Sequence, residues 1–208
     1  MLKQILKESF IYGSSRILVS LLGFLTLPYF INIFSFKDYG ILTIIISINT
    51  FLPCVYSLEI ETALSKFFHD SLMNKDKLLY LSVKFRTLFY LIISLPVFLI
   101  LQKIINPLIP QESNILCLLI IIYGFTSSLT SIIMTFLRMS HKVKQYILIE
   151  SFTTFMGTIF SLFLVAKNPT IYSYLYGSTL GKILGFLIAI YFSKINFYIL
   201  LNTSIKKI

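Results

Sequence analysis

Charge is scarce in this chain. Only 12% of its 208 residues are charged, 57% are apolar, and the mean hydropathy is +0.87. A soluble domain carries roughly twice that charged share, so water is excluded as the solvent for most of the surface. Acid is scarcer than base, with eight Asp and Glu against eighteen Lys and Arg and a net charge of +10. Cysteine is nearly absent. Cys54 and Cys117 both sit inside apolar runs, where they read as small apolar residues rather than a disulfide or a metal pair. The two histidines, His69 and His141, are far apart in polar segments. There is no His/Asp/Glu metal spacing, no nucleophile elbow and no glycine-rich phosphate loop. These absences argue against an enzyme and leave no cofactor or metal to expect. A cleavable signal peptide is also missing: residues 1–8 form a short basic-polar opening, and the next apolar run continues to Phe34 without a small-residue cleavage pattern.

What the chain has instead is long uncharged runs. A transmembrane helix needs about 20 apolar residues. Such stretches fall at residues 10–34 with Arg16 near its start, 41–58, between Arg86 and Lys103, at 113–137, at 146–166 with Glu150 in its first turns, and at 172–193, interrupted only by Lys182. The expectation is an all-α, polytopic membrane bundle of six helices. Residues 1–195 would form one transmembrane lobe and 196–208 a short cytoplasmic tail. Breakers mark the connections: 35–40, then Asn106-Pro107 through Pro110, then Asn168-Pro169. The one longer hydrophilic stretch, 69–86, lies between the second and third spans.

Basic residues set the orientation. Fourteen of them (Lys3, Lys7, Arg16, Lys66, Lys75, Lys77, Lys84, Arg86, Arg138, Lys142, Lys144, Lys194, Lys206 and Lys207) fall on one side of the predicted spans. Only Lys37, Lys103 and Lys167 fall on the other. Both termini are therefore expected in the cytoplasm. The positive charge is a topology signal, and nucleic acid is not an expected partner.

An ionisable side chain inside a bilayer costs at least ~2.5 kcal/mol and so needs a partner, a wet cavity or a role. At 1.5 Å per residue, Arg16, Glu59, Glu61 and Glu150 all fall in the cytoplasmic half of their helices. Glu59 and Glu61 are about 200° apart on a helix and cannot face one cavity. Arg16 is the natural partner for one of them, unless it reaches the headgroups along its aliphatic stem. Lys182 lies near mid-span, where such reach fails; it is expected to face a wet interior or to pair with a carboxylate. Gly177, Gly181 and Gly185 repeat every fourth residue, a flat ridge for close helix approach. Gly13, Arg16, Ser20 and Gly23 make a small, polar stripe on the first helix. Pro28, Pro53 and Pro96 lie inside spans, where neighbours or water satisfy the freed carbonyls.

These features in order resemble a known family. Tyr12-Gly13 with Arg16 and Leu27-Pro28, then Phe36-Lys37-Asp38-Tyr39-Gly40, Glu59 through Phe68, and Phe136-Leu137-Arg138 before Tyr146 are similar to the N-terminal portion of bacterial oligosaccharide flippases. These form the polysaccharide-transporter branch of the superfamily that includes multidrug extruders and the lipid II flippase. The resemblance implies export of polyprenyl-pyrophosphate-linked oligosaccharide, as in O-antigen and lipopolysaccharide assembly, across the bacterial inner membrane by alternating access between two six-helix lobes. It makes Arg16 and Lys182 the candidate headgroup cations and Glu59, Glu61 or Glu150 a candidate coupling or ion-pair carboxylate. Six helices are half of that fold, so a second lobe is expected as partner, on a separate chain, in a homodimer or lost by truncation. Half of a multidrug or cation extruder, or a non-transporting scaffold or gene remnant, are the alternatives.

Overall fold

The computed structural model describes residues 2–69, 74–110 and 113–193; the side chains of residues 2–12, 14–16 and 18 are outside that description. Seven helices follow one another: α1 (Leu2–Ile33), α2 (Phe36–Ser57), α3 (Ile60–Phe67), α4 (Lys75–Ile105), α5 (Ser113–Met139), α6 (Val143–Lys167) and α7 (Ile171–Ser193). Five of them (α2 and α4 to α7) are long and apolar enough to cross a membrane, and α1 carries a shorter apolar segment, Val19–Ile33. The chain is therefore a multi-pass membrane protein, all-helical among the described residues. In hydrocarbon every backbone polar group must be satisfied within its own segment, which is why helices are the answer here.

The helix starts obey local chemistry. Ser35 caps α2: its Oγ accepts from the Asp38 amide at 3.1 Å and donates to Asp38 Oδ2 at 2.6 Å. Asn74 caps α4 by accepting from the Asp76 amide at 3.0 Å. Pro28, Pro53 and Pro96 all stand inside helices.

Helix α5 is the central post. It packs against α2, α3, α4, α6 and α7, while α6 and α7 form a tight antiparallel pair and α1 lies along α6. Leu116, Cys117, Ile120, Ile132, Ile133 and Leu137 of α5 are fully buried. Gly124 admits the ring of Tyr56 from α2. Tyr56, Tyr90 of α4 and Phe125 pack as tilted rings with centroids 4.4 and 4.5 Å apart, and the Tyr90 hydroxyl donates to the Ile121 carbonyl. The outward faces of α1 and α4 remain apolar and exposed, as lipid-facing surfaces are.

Besides the connection expected at 35–40, which is helix from Phe36 on, two boundaries differ from the sequence reading. The second span does not run on through Glu59 and Glu61. It stops at Ser57, and Leu58 and Glu59 adopt left-handed backbone (φ 41° and 54°) before α3 begins on a new axis. Left-handed conformation costs a non-glycine residue about 1–2 kcal/mol, so α3 is held in place by what it packs against. Second, most of the hydrophilic stretch expected as a loop is helix: residues 75–86 are the first three turns of α4. At 31 residues α4 is about 46 Å long, well beyond a ~30 Å hydrocarbon core, so its polar first turns extend past the apolar layer.

Candidate functional site

The glycine ridge of α7 meets α6 rung by rung. A Cβ on Gly177 would collide with the backbone of Ser161, on Gly181 with that of Gly157, and on Gly185 with the side chain of Thr153. Residues 153, 157 and 161 are themselves one helical turn apart, so two small-residue faces lie against each other. Ser161 Oγ donates to the Tyr174 carbonyl at 3.1 Å across the seam. The hydroxyls beside the seam donate to carbonyls of their own helices, Thr153 to Ile149, Thr154 to Glu150, Thr158 to Thr154 and Ser178 to Leu175, and their oxygens border the space alongside.

That space is a cavity of about 290 Å³ between α1, α5, α6 and α7. Its lining is rich in hydroxyls: Thr26, Thr153, Thr154, Thr158, Ser161 and Ser178, with the rings of Tyr123 and Tyr174. Lys182 lines it and is the middle residue of the 23-residue α7, about 16 Å from either end. Its Nζ stands 5.4 Å from the centroid of the Tyr123 ring, over the face, where the ring quadrupole attracts a cation. Glu150 lies on α6 one turn before Thr154. Gly23 of α1 completes the rim, with open space where its Cβ would be. One fixed cation on an aromatic face, surrounded by hydroxyls, suits a ligand that is both anionic and polyhydroxylated.

A second polar cluster lies where α3, α4 and α5 meet. Arg86 Nη2 donates to Glu61 Oε2 at 2.6 Å, Arg86 Nη1 donates to Ser128 Oγ at 2.7 Å, and Ser131 Oγ donates to Glu61 Oε1 at 2.8 Å. Arg86 is 1% exposed and Glu61 21%. The partner of Glu61 is thus Arg86, as the α2–α3 break swings Glu61 onto α4; the pairing of Arg16 with one of Glu59 and Glu61, like the Arg16 side chain itself, lies outside the described residues. Glu59 is exposed and accepts from Thr62 Oγ1 at 2.6 Å, apart from the Glu61 cluster.

Sequence reasoning missed Arg86, Ser128 and Ser131, and it missed the hydroxyl lining around Lys182. A signal for Arg86 existed: Leu79, Ser82, Val83 and Tyr90 surround it at helical spacing and share its buried face. Among the described residues no group of His, Cys, Asp or Glu is placed to hold a metal ion.

The family model described as "Polysaccharide biosynthesis protein" matches residues 5–208. The chain belongs to that family, in agreement with the likeness carried by its ordered motifs. No curated protein and no solved structure matches it.

Proposed function

From membership in this family we propose that the chain works in a flippase for lipid-linked oligosaccharide. It would form one lobe of six transmembrane helices with both termini cytoplasmic, α1 being the first span, in the bacterial inner membrane. With a second six-helix lobe, on another chain or a second copy, it would move a polyprenyl-pyrophosphate-linked glycan from the inner to the outer leaflet by alternating access.

The observation that carries this reading is Lys182. A mid-span ammonium, lining a cavity of threonines, serines and tyrosines, matches a ligand with an anionic linkage and a sugar. Arg16 precedes Gly23 by seven residues, a spacing that returns to nearly the same helix face, and supplies a second candidate cation nearer the cytoplasm. The extruder alternative asks the carboxylates to carry the ion. Glu61 is engaged by Arg86 and Ser131 and Glu59 is exposed, which leaves Glu150 as the acid nearest the cavity and favours an anionic cargo. Surface-glycan export by the assembled transporter tests the reading. Neutralising Lys182 should lower export about 10- to 100-fold and leave membrane insertion unchanged, whereas loss of export on neutralising Glu150 alone would favour the extruder.

A further inference from the structure

The junction of α2 and α3 and the Glu61–Arg86 pair belong to one device. The buried face of α2 runs through Ile45, Asn49, Leu52 and Tyr56. If the helix continued unbroken past Ser57, Ile60 and Leu64 would fall about 40° and 80° from Tyr56, still near that buried face. Glu61 would fall about 140° away, pointing out of the core and off Arg86. The two consecutive left-handed residues, Leu58 and Glu59, re-aim α3 so that Glu61 reaches both Arg86 and Ser131 while Ile60 and Leu64 stay buried. Ile60 and Leu64 thus keep to one side in a bent or a continuous helix, whereas Glu61, together with Phe68 at about 120° from Tyr56, meets α4 and α5 only in the bent one. Neither left-handed position is a glycine, so the bend is strained as well as selective.

We propose that the α2–α3 junction is a two-state hinge, bent when Glu61 is latched to Arg86 and Ser131 and continuous when the latch opens. The latch is reachable. Arg86 is sealed inside, but Glu61 is 21% exposed, so a competing anion or cation has access to the pair from the α3 side. Opening the latch carries Lys66 and the rest of α3 along the axis of α2 and uncovers the Ser128–Ser131 face of α5. The hinge is a property of this chain's backbone and holds whatever the cargo.

Paired spin labels on the full chain in lipid nanodiscs test it, with Cys54 and Cys117 replaced by alanine. Labels at Ser47 of α2 and Lys66 of α3, both exposed, report the bend. In a continuous helix their Cα atoms are about 28 Å apart; the bend brings them closer. The unmodified latch should give the short distance. Glu61→Gln, which keeps the shape and removes the charge, should move the bent-to-continuous ratio at least ~10-fold toward the long distance. Adding Leu58→Gly and Glu59→Gly, which relieve the strain, should restore the short distance in the Glu61→Gln chain. A Glu61→Gln distribution equal to that of the parent overturns the hinge. So does a Glu61→Gln chain that fails to fold and that the two glycines do not rescue, since the pair would then hold the bundle rather than the bend.

Discussion

Arg86 Nη2 lies 2.6 Å from Glu61 Oε2, and that one bond ties the short helix α3 to the interior of the bundle. A buried cation with its carboxylate removed is a far greater liability than the pair is an asset, because the desolvation cost remains and the attraction does not. The same asymmetry makes the pair a diagnostic of how the helices are held.

Glu61→Leu or Arg86→Leu alone should therefore differ sharply in effect. Arg86→Leu leaves a partly wet carboxylate and a mild defect. Glu61→Leu strands an arginine that is 1% exposed and should cost about 3–5 kcal/mol. The double Leu variant should recover most of the loss. Unfolding midpoints in detergent micelles titrated with SDS give the comparison, and equal losses in both single variants would contradict it.

Gly181→Ala should destabilise by about 1–3 kcal/mol, since the new Cβ meets the backbone of Gly157 and neither helix can yield without separating. Gly23→Ala has open space and should stay within about 0.5 kcal/mol of the parent. The same SDS titration separates the two.

Tyr123→Phe keeps the ring beneath the Lys182 ammonium, and Tyr123→Leu removes it. A cation–π contact is worth about 0.5–2 kcal/mol, so Tyr123→Leu should reduce surface-glycan export between about 2- and 30-fold while Tyr123→Phe preserves it. Quantitative glycan staining of intact cells is the readout.

The orientation expected from the basic residues is checked by labelling. With Cys54 and Cys117 replaced by alanine, a cysteine at Lys37, which is exposed beside the cap of α2, should react with a membrane-impermeant maleimide in intact cells. A cysteine at Lys142, exposed between α5 and α6, should react only after the membrane is opened.

The long spans were legible because hydrocarbon leaves a wide mark: the runs read at 113–137, 146–166 and 172–193 lie within α5, α6 and α7. Asp38 was legible as part of a motif, and the structure explains its presence as the reciprocal cap of Ser35. The break at Leu58 was not legible, because neither left-handed residue is a glycine and the apolar pattern of α2 continues in phase through Ile60 and Leu64. That single hidden bend is also why Arg86 was not read as a partner of Glu61. Arg86 was taken for a flank because a charge after a polar stretch resembles a membrane boundary; only the helical packing of 78–90 shows it facing inward. Lys182 stood out alone in an apolar run; Ser178 and Tyr174 precede it by one and two turns on α7, while the other hydroxyls around it come from α1, α5 and α6 and share no local pattern with it.

The most direct test of the cavity as the headgroup site is surface-polysaccharide export with Lys182→Gln in the assembled transporter, with membrane levels of the protein measured in parallel. Loss of a charge-assisted contact to the anionic linkage should lower export by about 10- to 100-fold at unchanged protein level, and Lys182→Arg should retain more of it than Lys182→Gln. Wild-type export by Lys182→Gln would contradict the account.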